Sequence, residues 1–265
     1  MDAQGSLIDL QRSRDVGDIL SGAFRLYRSR FSLFAIIACA VVVPVDLLIY
    51  GVAGEWLWTD PDWGESLPVG AVVATLLAPW LVTTPLITAG HVHAVMELGA
   101  GRDASPGRAL AAAARRLTPV ATAVTLAAAG AALGLIALIV PGVYLWARWY
   151  LSAQAVVAED LGPLEGMARS ADLVRGQWWR IFGIAVLISL TAAILAALLS
   201  VPFQAVGYAV DIGPVVLLGQ IVGDAISLSF AALAGTLLYF DARARRGAPP
   251  PAPPEPDLTL PERPA

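Results

Sequence analysis

Three charged residues stand inside long apolar stretches of the sequence, and their side chains are the first candidates for chemistry. They are Asp46, Arg148 and Asp224. A charge at the centre of a membrane-spanning helix costs about 2.5–3.5 kcal/mol on insertion scales unless a partner or water compensates for it. We therefore predict an intramembrane polar site in which Arg148 faces the protein interior and pairs with Asp46, or with Asp224 as the second choice.

A weaker candidate site lies near the end of another apolar stretch. His93 and Glu97 are four residues apart, so on a helix they share one face, as a metal site or a proton path requires. His91 points elsewhere. Polar side chains near the end of a span also reach the membrane surface at little cost, and this ordinary solvation is the more common explanation for such a pair.

The sequence contains none of the short motifs that carry catalysis. It has no His-Glu-x-x-His helix, no Gly-x-Ser-x-Gly elbow and no phosphate-binding glycine loop. Its single cysteine, Cys39, allows no disulfide within the chain and no thiolate metal cluster. We therefore expect a protein that is not an enzyme, that holds no metal or cofactor and that has no nucleic-acid partner.

The composition is that of an integral membrane protein. Hydrophobic residues make up 57% of the 265 residues and charged residues only 14%, whereas about 25% of residues are charged in a typical soluble domain. The mean hydropathy is +0.70. The elements that position the polar residues are therefore expected to be membrane helices.

Six apolar segments predict six transmembrane helices, because a helix rises 1.5 Å per residue and the hydrocarbon layer is about 30 Å thick. The segments cover approximately residues 31–52, 67–98, 118–140, 143–158, 181–203 and 214–240. Two pairs of glycines, Gly130 with Gly134 and Gly219 with Gly223, have the spacing that allows close contact between helices. We interpret both pairs as packing seams inside the bundle.

A shorter amphipathic segment precedes the first, third and fifth spans. The three segments read DVGDILSGAFRLYR, SPGRALAAAARRLT and GPLEGMARSADLVR. Each is predicted to form a helix at the membrane surface, and the third should lead into the interfacial anchors Trp178, Trp179 and Arg180. The predicted fold is all-α: a polytopic bundle of six transmembrane helices in three repeats, each a cytoplasmic amphipathic helix plus a transmembrane hairpin.

The positions of the arginines predict the orientation in the membrane. All 17 basic residues are arginine, and none lies in the three loops opposite the amphipathic helices. Five precede the first span, four lie between the second and third, three lie between the fourth and fifth, and three directly follow the sixth. Basic residues near span ends stay on the cytoplasmic side. We therefore expect a multi-pass protein of the cell membrane with both termini in the cytoplasm.

The chain is divided into three parts. Residues 1–14 form a polar segment without the features of a secretory signal, and residues 15–246 form the six-span membrane domain. Residues 247–265 contain eight prolines and are expected to form an extended, disordered tail. Within the membrane domain, the connector at residues 53–66 carries acidic residues and three tryptophans and is expected to lie on the outer side.

Four stretches of the sequence carry a family resemblance. They read DVGDILSGAFRLYRSRF, PGVYLWARW, AVVAEDLGPLEGMARSADLVRGQWWRIFG and LLYFDARARR. From roughly Asp15 to Arg246 the chain resembles a bacterial family of uncharacterised integral membrane proteins. That family is related to the membrane domain that precedes glycerophosphodiester phosphodiesterase barrels. In the fused relatives the hydrolase is a separate soluble barrel, so the resemblance implies a membrane module without that catalytic barrel.

Two function classes remain open. The preferred one is a non-catalytic membrane module that uses its cytoplasmic helices to bind membrane lipid, including anionic lipid, or a protein partner, including a second copy of the chain. The alternative is a permease for a small molecule or lipid, with a midplane cavity lined by Asp46, Arg148 and Asp224. A packed centre favours the module, and a hydrated cavity that reaches these three residues favours the permease.

Overall fold

The computed structural model describes residues 9, 10, 12–53, 73, 75 and 77–247, and every regular element among them is helical. The all-α class is thereby confirmed for this part of the chain. Three predictions fall wholly or partly outside the described residues. They concern the outer connector from residue 54 onward, the beginning of the second predicted span and the proline-rich tail beyond residue 247.

Ten α-helices and one π-helical turn make up the described part of the chain. The α-helices are α1 (Val16–Ser29), α2 (Phe31–Ala53), α3 (Thr84–Gly99), α4 (Pro106–Arg115), α5 (Leu117–Ala137), α6 (Ile139–Trp149), α7 (Ser152–Ala158), α8 (Pro163–Val174), α9 (Trp178–Ala209) and α10 (Gly213–Arg245). The π-helical turn, Pro79–Thr83, directly precedes α3.

Four of these helices are long and apolar enough to cross a membrane. They are α2, over Phe31–Gly51, and the whole of α5, α9 and α10. The remaining two predicted spans are interrupted. The described part of the second contains the π-helical turn at Pro79, a residue that has no N–H to donate to a helical ladder. The fourth is divided into α6 and α7, because the N–H of Leu151 donates to the hydroxyl of Ser170.

Helices α4 and α8 begin where their sequences predict. In α4, Ser105 is the N-cap, its Oγ accepts from the N–H of Arg108 at 3.3 Å, and proline occupies the first turn. In α8, the carboxylate of Glu165 accepts from the N–H of Gly162 at 2.9 Å. Both starts therefore depend on local side-chain capping, which the sequence makes visible.

Both predicted glycine seams are confirmed as close contacts between helices. A Cβ atom added at Gly134 in α5 would lie 2.8 Å from the Cα atom of Gly142 in α6. A Cβ atom added at Gly223 in α10 would lie 3.1 Å from the carbonyl oxygen of Ala196 in α9. Glycine at these positions lets the α5–α6 and α9–α10 hairpins pack backbone against backbone.

Helices α1, α4 and α8 each bury several apolar residues against the rest of the protein. The buried residues are Ile19, Ala23 and Leu26 in α1, Ala109 and Ala113 in α4, and Met167, Ala171 and Val174 in α8. Leu164 and Ala168, two further apolar residues of α8, are exposed. We call the end of the bundle that contains Arg14, Glu159, Arg180 and Asp241 the charged end.

Candidate functional site

Asp241 lies at the centre of the charged end. Its carboxylate in α10 is fully buried and accepts hydrogen bonds from the guanidinium of Arg180 at 2.6 Å, from that of Arg245 at 3.1 Å and from the backbone N–H of Arg14 at 2.6 Å. Arg180 and Arg245 also donate to the carbonyl of Arg14, at 2.7 and 2.9 Å. One acid thereby joins the segment before α1, the first turn of α9 and the last turn of α10.

Glu159, directly after α7, is the second acceptor of the charged end. The hydroxyl of Tyr239 donates to its carboxylate at 2.5 Å, and the Nε atom of Arg169 donates at 2.8 Å. The guanidinium of Arg243 forms an ion pair with the same carboxylate at 3.3 Å. Glu159 therefore connects α8 to α10, just as Asp241 connects α9 to α10.

Further ion pairs surround these two acids. Arg102 donates to Glu97 at 2.7 Å, and this hydrogen bond raises the pKa of Arg102. Asp160 has a positive φ of 57° and pairs with Arg116. Burial lowers the pKa of Arg14, and the carboxylate of Asp241 acts in the opposite direction. Because arginine stays protonated at physiological pH, the charged end is a fixed set of ion pairs.

These contacts join the helices of the charged end through ion pairs and hydrogen bonds. Both central carboxylates are engaged by cations and hydrogen-bond donors, so neither is available as a general base or nucleophile. No group of three or more His, Cys, Asp or Glu side chains that could hold a metal ion is found among the residues that the structure describes.

The structure does not assemble the predicted intramembrane site around Arg148. The guanidinium of Arg148 donates to the hydroxyl of Tyr144 at 2.9 Å, and among the described residues no carboxylate lies within ion-pair distance of it. The predicted pair with Asp46 or Asp224 is therefore wrong. The physical reason is the break between α6 and α7, where Ser170 of α8 donates to the carbonyl of Arg148 at 2.9 Å.

Asp46 and Asp224 do come together, on α2 and α10. The two carboxylates are close enough to interact electrostatically, and Gln220 donates to Asp224 at 2.8 Å. Asp46 is only 8% exposed, and its Oδ2 atom has no hydrogen-bond partner in the described part of the chain. The structure thus brings together two of the three predicted residues, but as a pair of acids and not as an ion pair.

The weaker predicted pair, His93 and Glu97, lies on α3. Glu97 is buried and pairs with Arg102, while His93 on the same face of α3 is half-buried. The more deeply buried imidazole is that of His91, which is stacked on Phe34 with 5.2 Å between ring centroids. The His91 Nδ1–H donates to the carbonyl of Ile87 at 2.8 Å.

Of the three predicted interfacial anchors, Trp179 alone has a largely free side chain, with an exposure of 77%. Trp178 is stacked on Phe182, with 5.0 Å between ring centroids, and donates to the carbonyl of Tyr144 at 3.3 Å. The guanidinium of Arg180 forms an ion pair with the carboxylate of Asp241. These two residues therefore connect α9 to other parts of the protein.

Sequence reasoning did not identify Glu159, Tyr239 and Asp241 as a network. Their positions lie within the stretches AVVAEDLGPLEG and LLYFDARARR, which carry the family resemblance. Each of these stretches has an acidic residue close to several arginines in the sequence, and this proximity was the signal that could have indicated an ion-pair network. Which arginine meets which acid depends on the fold.

A cavity of about 550 Å³ lies between α3, α5, α6, α7 and α10. All of the described side chains that line it are uncharged, and Asp46, Arg148 and Asp224 are not among them. The cavity thus does not correspond to the polar midplane cavity expected of the permease.

No curated protein and no protein of solved structure matches the chain. A family model, described as a domain of unknown function (DUF7847), matches residues 92–242. This range includes Glu159, Arg180 and Asp241, and it contains α4 to α9 entirely. Nothing in the match links the chain to the membrane domain of glycerophosphodiester phosphodiesterases. Because the match covers more than half of the 265 residues, the chain belongs to the DUF7847 family of uncharacterised domains.

Proposed function

We propose that the protein is a non-catalytic, multi-pass membrane module that binds anionic lipid at its cytoplasmic surface. The proposed topology has six spans. Four are the long helices α2, α5, α9 and α10, and the interrupted segments that end in α3 and α7 supply the other two. A short amphipathic helix stands directly before each of α2, α5 and α9, which supports the threefold repeat.

The charged end is assigned to the cytoplasm on the basis of its arginines. Basic residues near span ends remain on the cytoplasmic side, and Arg14, Arg102, Arg180 and Arg245 all lie at this end. Many of these arginines neutralise acids of the protein itself, so they are not free to bind a lipid phosphate.

The observation that carries the proposal is the outer surface of α1. The guanidinium groups of Arg25, Arg28 and Arg30 make no hydrogen bond or ion pair with any described residue. Phe24 on α1, and Phe31 at the start of α2, are each 55% exposed. Exposed aromatic residues beside unpaired arginines are typical of a helix that lies in the interface and binds anionic headgroups.

Spin-labelled lipids test this proposal. The full chain is reconstituted in phosphatidylcholine vesicles, and the motionally restricted fraction is compared for spin-labelled phosphatidylglycerol and phosphatidylcholine. Each near-surface charge contributes about 1 kcal/mol, so the wild-type protein should prefer phosphatidylglycerol and lose that preference in high salt. The triple variant Arg25→Gln/Arg28→Gln/Arg30→Gln should lose most of it. The control Arg175→Gln, at an exposed arginine already paired with Asp172, should retain it. Equal restriction of both lipids by the wild-type protein would overturn the proposal.

The second candidate function is the permease, and the approach of Asp46 to Asp224 favours it. Acidic residues inside membrane helices commonly mark proton or cation paths. The permease remains second because the 550 Å³ cavity is lined by neither acid and because Arg148 is held by Tyr144.

A further inference from the structure

The cavity between α3, α5, α6, α7 and α10 has one wall of small residues and one of large residues. Ala127, Ala128 and Ala131 of α5 form the small wall, and Trp146 and Trp149 are among the large residues that face the same space. A space of about 550 Å³ lies within the range of small-molecule sites.

One part of the cavity wall is polar and contains an acceptor without a partner. Thr88, Ser152 and Gln154 line it, and these side chains are 7%, 2% and 7% exposed. The Oε1 atom of Gln154 has no hydrogen-bond partner in the part of the chain that the structure describes. Buried side-chain acceptors are normally satisfied, so this oxygen indicates a donor that the protein itself does not supply.

The amide of Gln154 lies against Gly235 of the neighbouring helix α10. A Cβ atom added at Gly235 in α10 would lie 2.8 Å from the Nε2 atom of Gln154, closer than real Cβ atoms come. Glycine at this position therefore makes the space that the amide occupies. Gln154 of α7 and Gly235 of α10 therefore meet beside the polar part of the cavity.

We propose that this cavity binds a neutral lipid with a hydroxyl head, such as a long-chain alcohol or an acylglycerol. The hydroxyl donates to Gln154, and the hydrocarbon chain lies against the alanines of α5. A fatty acid or phospholipid head would bring a charge into a space with no counter-charge among its described lining residues. If each carbon group of the lipid chain occupies about 30 Å³, the volume of a water molecule in the liquid, the cavity accommodates roughly 18 such groups. This site is separate from the arginines of α1, so it does not depend on the function proposed above.

Photo-crosslinking to the full chain in detergent micelles tests the proposal. The probe is hexadecanol with a diazirine in its chain, and labelled peptides are mapped by mass spectrometry. We expect saturable labelling of α5 and α6. Unlabelled hexadecanol should compete with the probe, whereas hexadecane and palmitate at the same mole fraction should compete roughly tenfold less well. Uniform labelling without saturation, or competition by hexadecane or palmitate as strong as that by hexadecanol, would overturn the proposal.

Two adjacent residues of α5 provide a matched pair of variants. Ala128 lines the cavity, whereas Ala129 is exposed and does not. Ala128→Leu should abolish saturable labelling, and Ala129→Leu should leave it unchanged. Gln154→Met, which keeps the size of the side chain but removes the acceptor, should weaken binding of hexadecanol roughly tenfold without affecting that of hexadecane. Equal labelling of the two alanine variants, or unchanged hexadecanol binding by Gln154→Met, contradicts the proposed site. If one variant fails to fold, the competition series on the wild-type protein still decides.

Discussion

The hydroxyl of Tyr239 donates a 2.5 Å hydrogen bond to the carboxylate of Glu159, which lies 80 positions earlier in the sequence. Tyr239 itself is fully buried in α10, and Glu159 stands between α7 and α8. The bond therefore joins the last long helix to the middle of the chain. Hydrogen bonds to a charged acceptor in a poorly hydrated site are among the stronger ones in proteins.

Replacing Tyr239 with phenylalanine should destabilise the protein. The ring is retained and one hydrogen bond to a carboxylate is lost, so the free energy of unfolding should fall by about 1.5–3 kcal/mol. Unfolding by denaturant in detergent micelles measures the change. Tyr208, with an exposure of 56%, provides the control, because Tyr208→Phe removes a hydroxyl from the surface. Equal effects of the two substitutions would show that the bond to Glu159 contributes little.

Neutralising Asp241 should reduce the free energy of unfolding more than neutralising an exposed acid does. Asp241→Asn removes the charge that Arg180 and Arg245 share in a buried site, and the expected loss of unfolding free energy is about 3–5 kcal/mol. The matched control is Asp172→Asn, whose pair with Arg175 is exposed and should contribute about 0–1 kcal/mol. Similar losses for both variants in the same unfolding assay would contradict the central position of Asp241.

Asp46→Asn should leave the protein equally stable or make it more stable. The substitution keeps the shape of the side chain and removes a carboxylate that is unfavourable first because it is buried with Oδ2 unpartnered among the described residues, and second because the carboxylate of Asp224 repels it. Asp224→Asn should act in the same direction, and the double variant should gain less than the two single gains combined, because either one removes the repulsion. Thermal unfolding in micelles measures all three. A large loss of stability in Asp46→Asn would mean that its charge has a favourable partner, such as a bound cation.

The six-span topology predicts the side of the membrane on which each connection lies. Reporter domains fused at Gly101 and directly after Arg246 should be cytoplasmic, since arginine is concentrated beside both positions. A reporter at Asp211, between α9 and α10, should lie on the opposite side. An external signal from either of the first two fusions would refute the proposed orientation.

Features that depend on nearby residues were predictable from the sequence. The four long apolar helices, the Ser105 cap and the seam at Gly134 follow from composition and short spacings. The surroundings of Arg148 were not predictable. They depend on Ser170, which breaks the fourth segment by accepting a hydrogen bond from a residue 19 positions earlier. The guanidinium of Arg148 meets Tyr144 on its own helix instead of the predicted Asp46.

The same limit applies to the charged end. Seventeen arginines and several acids allow many pairings, and the sequence does not rank them. Only packing decides that Arg180 meets Asp241 and that Arg169 meets Glu159. The cavity was unpredictable for the same reason, since its lining comes from helices that are far apart in the chain.

The contact between Arg14 and Asp241 also bears on how the bundle assembles. The two residues are 227 positions apart, so the ribosome makes Arg14 long before Asp241. This contact, and the hydrogen bond from Arg180 to Asp241, can form only after α10 has been synthesised. The segment before α1 is therefore joined to α9 and α10 late in assembly.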